Sequence, residues 1–162
     1  MDTTTATLAD DTLYECDFYE WCEQQAARLR AGAKLGANDG LDYENLAEEI
    51  ESLGKSQRRE IRSRLRVLLS HLLKWRHQAV LRGNSWTSTI NLQRQEIELL
   101  LQDSPSLVSF AHGAVVDVYP KAVQDAVSET GLDRTTFPAD CPFSDDQVLD
   151  PEFLPTDLDA VP

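Results

Sequence analysis

No stretch of the 162 residues approaches the roughly 18 consecutive apolar residues that a membrane-spanning helix needs. The opening MDTTTATLADDTLY has neither the basic cluster nor the apolar run of an export signal. These absences point to a soluble, cytoplasmic protein with no membrane association. Cysteine is scarce as well. Cys16, Cys22 and Cys141 lack the short paired spacings of zinc or thioredoxin-like sites and are expected to be reduced, partly buried thiols. No Gly-rich phosphate loop, no His-Glu metal motif and no Glu-x-x-His pair occurs, so no catalytic residue, metal ligand or cofactor is assigned. Strand-period alternation and internal repeats are missing too, which leaves an all-α fold.

What is present centres on one segment. From Asp42 to Gln78, Leu46, Ile50, Leu53, Ile61, Leu65, Leu68, Leu72 and Trp75 share one helical face, predicting a single long helix over about 42–78 with that face in the core. Asp42 is placed to cap its first turn, and Leu41 to pack back onto it. Gly54 costs about 1 kcal/mol relative to Ala inside a helix, but the apolar phase survives across it, so continuity is expected.

The charges of this helix are sorted. Glu44, Glu48, Glu49 and Glu51 come first, and a basic run follows. Residues 55–82 hold nine of the fifteen basic residues and one acid, in a chain of net charge −13. Acid before base complements the helix dipole. It also places Lys55, Arg58, Arg59, Arg62 and Arg66 in a stripe opposite the core face, suited to an acidic protein, a phosphate backbone or the acidic segment of a second copy. The acidic remainder repels polyanions, which argues against nucleic acid. Beside the leucines runs a polar line: Gln57, Arg64, His71 and Gln78 recur every seven residues, with Glu60 four before Arg64. Such groups need partners, and Gln93 and Arg94 are candidates to supply them. This cluster reads first as a structural network, with His71 as the residue around which a small-molecule or metal site would form.

In chain order, residues 1–13 are polar and expected to be mobile. A first helix over about 14–30 should turn Phe18, Trp21, Cys22, Gln25 and Leu29 to the core. A Gly-rich reversal at 31–40 leads into the long helix. Ser85 is a plausible cap for a third helix ending near Asp103, with Trp86, Ile90, Gln93, Ile97, Leu100 and Leu101 inward. Ser104-Pro105 opens a fourth that runs to about Thr130, is closed by Gly131 and is interrupted at Pro120. Residues 14–131 thus form a helical bundle of about four main helices. Residues 132–162, with five prolines and eight acids, read as an extended arm packed on the bundle to roughly Leu154; Ser144 to Gln147 forms a capping box and the last residues are mobile.

DFYEW, DYENLAEEIESLGKSQRRE, LLSHLLKW, SWTSTINLQRQEIELLL, DSPSL, ETGL, FPADCPF and LDPEFLP, in that order from about residue 13 to 155, resemble the bacterial proteins grouped as domain of unknown function 29. The resemblance implies a small, mostly helical bacterial protein and brings no established reaction, cofactor or catalytic residue. Residues and resemblance together lead to the expectation of a non-catalytic protein-interaction module, homodimeric through the charge-sorted helix or bound to an acidic protein. Nucleic-acid binding through the basic stripe is the alternative.

Overall fold

A computed structural model describes residues 12–36 and 39–156; of the N-terminus expected to be mobile, residues 1–11 lie outside the described residues, as do 157–162 at the other end, whereas residues 12 and 13 are helical. The fold is all-α: α1 (Phe18–Lys34), α2 (Tyr43–His77), α3 (Asn84–Asp103), α4 (Val108–Thr130) and a short α5 (Asp145–Leu149), with 3-10 turns at Ala79–Leu81, Pro105–Leu107 and Arg134–Thr136. A helical turn at 12–16 precedes α1, and no strand occurs among the described residues. Contacts group the chain into two compact units, Met1–Glu60 with Leu100–Val108, and Ile61–Leu99 with Ser109–Pro162.

In the first unit, α2 begins as its sequence dictates, with the Asn45 amide donating to the Asp42 carboxylate at 3.2 Å. Leu41, expected to pack back, is exposed instead, and so are Leu46 and Leu53. The buried line is Ala47 and Gly54, leading to Ile61, because α1 approaches too closely for leucine. A Cβ on Gly54 would stand 3.2 Å from the Cβ of Cys22 and 3.4 Å from the Tyr19 ring. Small residues at seven-residue spacing admit the backbone of α1, and the larger ones beside them are turned outward. The inner face of α1 is correspondingly Tyr19, Cys22 and Ala26. Phe18 and Trp21, expected in the core, are half-buried and stack with their ring centroids 5.9 Å apart, and Tyr14 packs edge-on to Trp21 at 4.8 Å.

The second unit keeps the expected seam: Ile61, Leu65, Leu68 and Leu72 of α2 are fully buried, with Leu69 and Leu73 beside them. Trp75 is only half-buried, its ring covered by the Arg82 guanidinium at 5.2 Å. Ile90, Gln93, Arg94 and Ile97 form the inner face of α3, and alanines and valines that of α4, which runs unbroken through Pro120. Gly131 closes α4 at φ 70°. The arm is anchored by buried Phe137, Phe143, Val148 and Pro155, and the Ser144/Gln147 capping box forms in full.

Candidate functional site

Most cations of the basic stripe have partners within the chain. Lys55 Nζ lies 2.9 Å from Glu51 one helical turn back, and Glu51 also binds Arg30. These three, with Glu48, Glu49 and Ser52, line an open groove of about 410 Å³ in the first unit. Arg58 covers the Tyr19 ring at 4.8 Å and Arg62 the Phe110 ring at 5.0 Å. Arg66 donates to both oxygens of Asp125, each at 2.6 Å, in a bidentate pair. Arg59 is exposed. A polyanion on this stripe would have to displace Glu51 and Asp125 from their cations.

The polar line does not form one cluster. Gln57 accepts from the Ser104 hydroxyl at 2.5 Å, and that hydroxyl in turn accepts from the Tyr19 amide at 3.0 Å. Ser104 therefore works as a fully buried bridge and makes no side-chain cap for the turn it opens. Asp17 caps α1 through the Glu20 amide and also holds the Ser106 amide at 2.7 Å. Arg64 reaches Gln93 at 3.4 Å and Glu96 at 3.6 Å. Glu60 is half-buried on the same helix.

Arg94 turns away from this line. Its Nε donates to the Val148 carbonyl at 2.9 Å, and its Nη atoms to Gln147 at 3.3 Å and Pro151 at 3.5 Å. Arg94 as a whole is 5% exposed, its guanidinium donates to backbone carbonyls of the arm, and burial pushes its pKa below the usual arginine value.

His71 sits with a residue that carried no signal of its own, Lys74. The side chain of Lys74 is nearly buried; its Nζ lies 2.5 Å from Glu129, 3.2 Å from His71 Nε2 and 5.2 Å from the centre of the Trp86 ring. His71 Nδ1 faces the Val67 carbonyl at 2.9 Å, so Nδ1 carries the hydrogen and Nε2 accepts from Lys74. Burial holds the His71 pKa below its ordinary value, and the neighbouring ammonium acts in the same direction. The imidazole is thus fixed as a neutral acceptor in a satisfied network. Lysine in a run of bases reads as a surface charge; only the position of Trp86 and Glu129 in space reveals its burial.

A model of the Domain of unknown function DUF29 matches residues 13–154. The chain belongs to the DUF29 family. An α-helical protein of unknown function from Rhodospirillum rubrum shares the fold, with 28% identity and a TM-score of 0.69 over 86% of this chain and 90% of that one. No curated protein matches. These likenesses extend the all-α architecture to a solved relative and attach no reaction to it.

The exposed face of α3 is the remaining feature with a pattern. Ser85, Ser88, Leu92, Gln95 and Leu99 fall at 3-4-3-4 spacing and are all exposed, with Leu92 at 48% and Leu99 at 54%. This is a heptad seam turned to solvent, and none of its five residues is charged. Among the described residues, no helix is long and apolar enough to cross a membrane.

Proposed function

We propose that this DUF29 protein is a non-catalytic protein-interaction module that pairs weakly with a second copy of itself, helix to helix, along the outer face of α3. The observation that supports the reading is the uncharged Ser85, Ser88, Leu92, Gln95, Leu99 line in a chain of net charge −13. Two such chains repel, and a neutral seam is where copies of the chain meet at least electrostatic cost. An antiparallel arrangement sets Leu92 against Gln95 of the copy and Leu99 against Ser88. It also places Glu98 beside Asn91 of the copy, whereas a parallel pairing would set Glu98 against Asp103 of the copy.

Burying four half-exposed leucines per dimer contributes roughly 4 kcal/mol, which places the pair among weak, concentration-dependent associations. The reading moves the seam from α2, where it was expected, to α3. The α2 cations that acid-to-base pairing of two long helices would use already meet Glu51, Tyr19, Phe110 and Asp125.

Cross-linking tests it. In a Cys16→Ser background at about 100 µM protein, a concentration suited to a weak pair, a short bis-maleimide should give a dimer band from Gln95→Cys and none from Asp117→Cys on the exposed side of α4. Equal bands from both, or none from either, would contradict the pairing.

A further inference from the structure

The C-terminal arm meets α4 at two polar points: the Tyr119 hydroxyl donates to the Pro138 carbonyl at 2.8 Å, and His112 faces the start of α5. His112 lies in the second turn of α4, and its Nδ1 faces Asp145 Oδ2 at 2.8 Å and Asp146 Oδ1 at 3.6 Å. The two aspartates open α5, immediately after the Ser144 cap. One imidazole nitrogen and two carboxylate oxygens, from segments 33 residues apart, come within 4.8 Å of one another. All three groups are reachable from solvent, with side-chain exposures of 32%, 46% and 89%.

We propose that His112, Asp145 and Asp146 form a binding site for a divalent first-row transition ion, with Zn²⁺ as its best-suited occupant, that staples the arm to α4. Bonds of 2.0–2.2 Å to nitrogen and oxygen at tetrahedral angles place neighbouring donor atoms about 3.3 Å apart. The 3.6 Å separation is close to that figure. The 2.8 Å separation has to open by about half an ångström as two metal bonds replace one hydrogen bond. The hydrogen of a neutral imidazole moves from Nδ1 to Nε2, which is free to hold it, and the Nδ1 lone pair then meets the ion. Two carboxylates neutralise the dication, and water completes the coordination.

The donor set selects among ions. An imidazole with two carboxylates suits zinc and its neighbours, whereas Mg²⁺ and Ca²⁺ prefer oxygen alone. The capping box and the grip of Arg94 on residues 147, 148 and 151 hold α5 in place independently of the ion. The donors therefore stand together before binding, and little chain entropy opposes it.

Isothermal titration with Zn²⁺ in a Cys16→Ser background, paired with thermal unfolding, tests the site. The expected result is one ion per chain, a melting temperature raised by Zn²⁺, and affinity weakened at least tenfold by His112→Gln and by Asp145→Asn. Mg²⁺ should give no comparable binding. If His112→Gln is poorly folded, the shift of the His112 ring nitrogens in the wild-type ¹⁵N spectrum on adding Zn²⁺ replaces it. Equal Zn²⁺ affinity in the wild type and both variants, an unmoved His112 resonance, or equal binding of Mg²⁺ would each overturn the assignment.

Discussion

Gly54 of α2 and Cys22 of α1 are packed so closely that the Cβ of any larger residue at position 54 would lie 3.2 Å from the Cys22 Cβ. An alanine there regains about 1 kcal/mol of helix propensity and loses a similar amount to the tight contact. Gly54→Ala should therefore leave stability nearly unchanged. Gly54→Leu forces the helices apart and should destabilise the protein by about 1–3 kcal/mol. Urea unfolding of the two variants measures the difference, and equal midpoints would count against the close approach.

Arg94 holds three carbonyls of the arm from a nearly buried position. Arg94→Met keeps the bulk and removes every donor, leaving those carbonyls short of partners, so a loss of about 2 kcal/mol or more is expected. The arm should also open first. Chymotrypsin should cut at Phe143, Leu149 or Phe153 faster in the variant than in the wild type. An unchanged cleavage rate would show that Phe143 and Val148 anchor the arm without Arg94.

His71 and His77 both have pKa values held below 6.5, chiefly by burial. Well above pH 6.5 each is neutral in the folded and the unfolded chain and stability does not depend on either. As pH falls below 6.5 the unfolded chain takes up protons that the folded one refuses, so stability declines and continues to decline until the folded-state values are passed. Urea midpoints should be flat between pH 7 and 8 and fall at pH 6 and 5, with a shallower fall in His71→Gln. A midpoint that rises on acidification would contradict the buried neutral imidazole and its bond from Lys74.

The basic stripe yields a prediction of its own. Arg66 and Asp125 are a partly exposed pair, worth at most about 1 kcal/mol, so Arg66→Gln should barely change stability. Fluorescence anisotropy with mixed DNA and RNA at low salt should be flat for wild type. Binding that weakens steeply with salt would restore the stripe as a nucleic-acid surface.

Much of the architecture was legible in the sequence because it rests on local rules. The Asp42 cap, the helix unbroken at Gly54, the Gly131 stop and the Ser144 capping box each follow from a few neighbouring residues. The seam at Ile61, Leu65, Leu68 and Leu72 follows from period alone. The first half of that seam was misread because periodicity rewards large apolar residues, whereas close helix packing buries small ones, here Ala47 and Gly54. The contacts of Lys74, Ser104 and His112 escaped notice for a different reason, Ser104 having been read only as a helix start. Their partners Glu129, Gln57 and Asp145 lie tens of residues away, and no local pattern reports a contact of that range. Arg94 was singled out, but its partners are backbone carbonyls, which leave no mark on composition.

Sedimentation velocity at low and high salt tests the proposed pairing most directly, because the α3 seam and the α2 seam respond oppositely. A neutral α3 seam between copies of charge −13 tightens as salt screens their repulsion, whereas acid-to-base pairing of α2 loosens. The expected result is a dimer fraction that grows with salt, disappears in Leu92→Glu/Leu99→Glu and survives in Arg58→Glu/Arg62→Glu. A monomer under all conditions, or a dimer dissolved by salt and by the α2 reversal, would contradict the account.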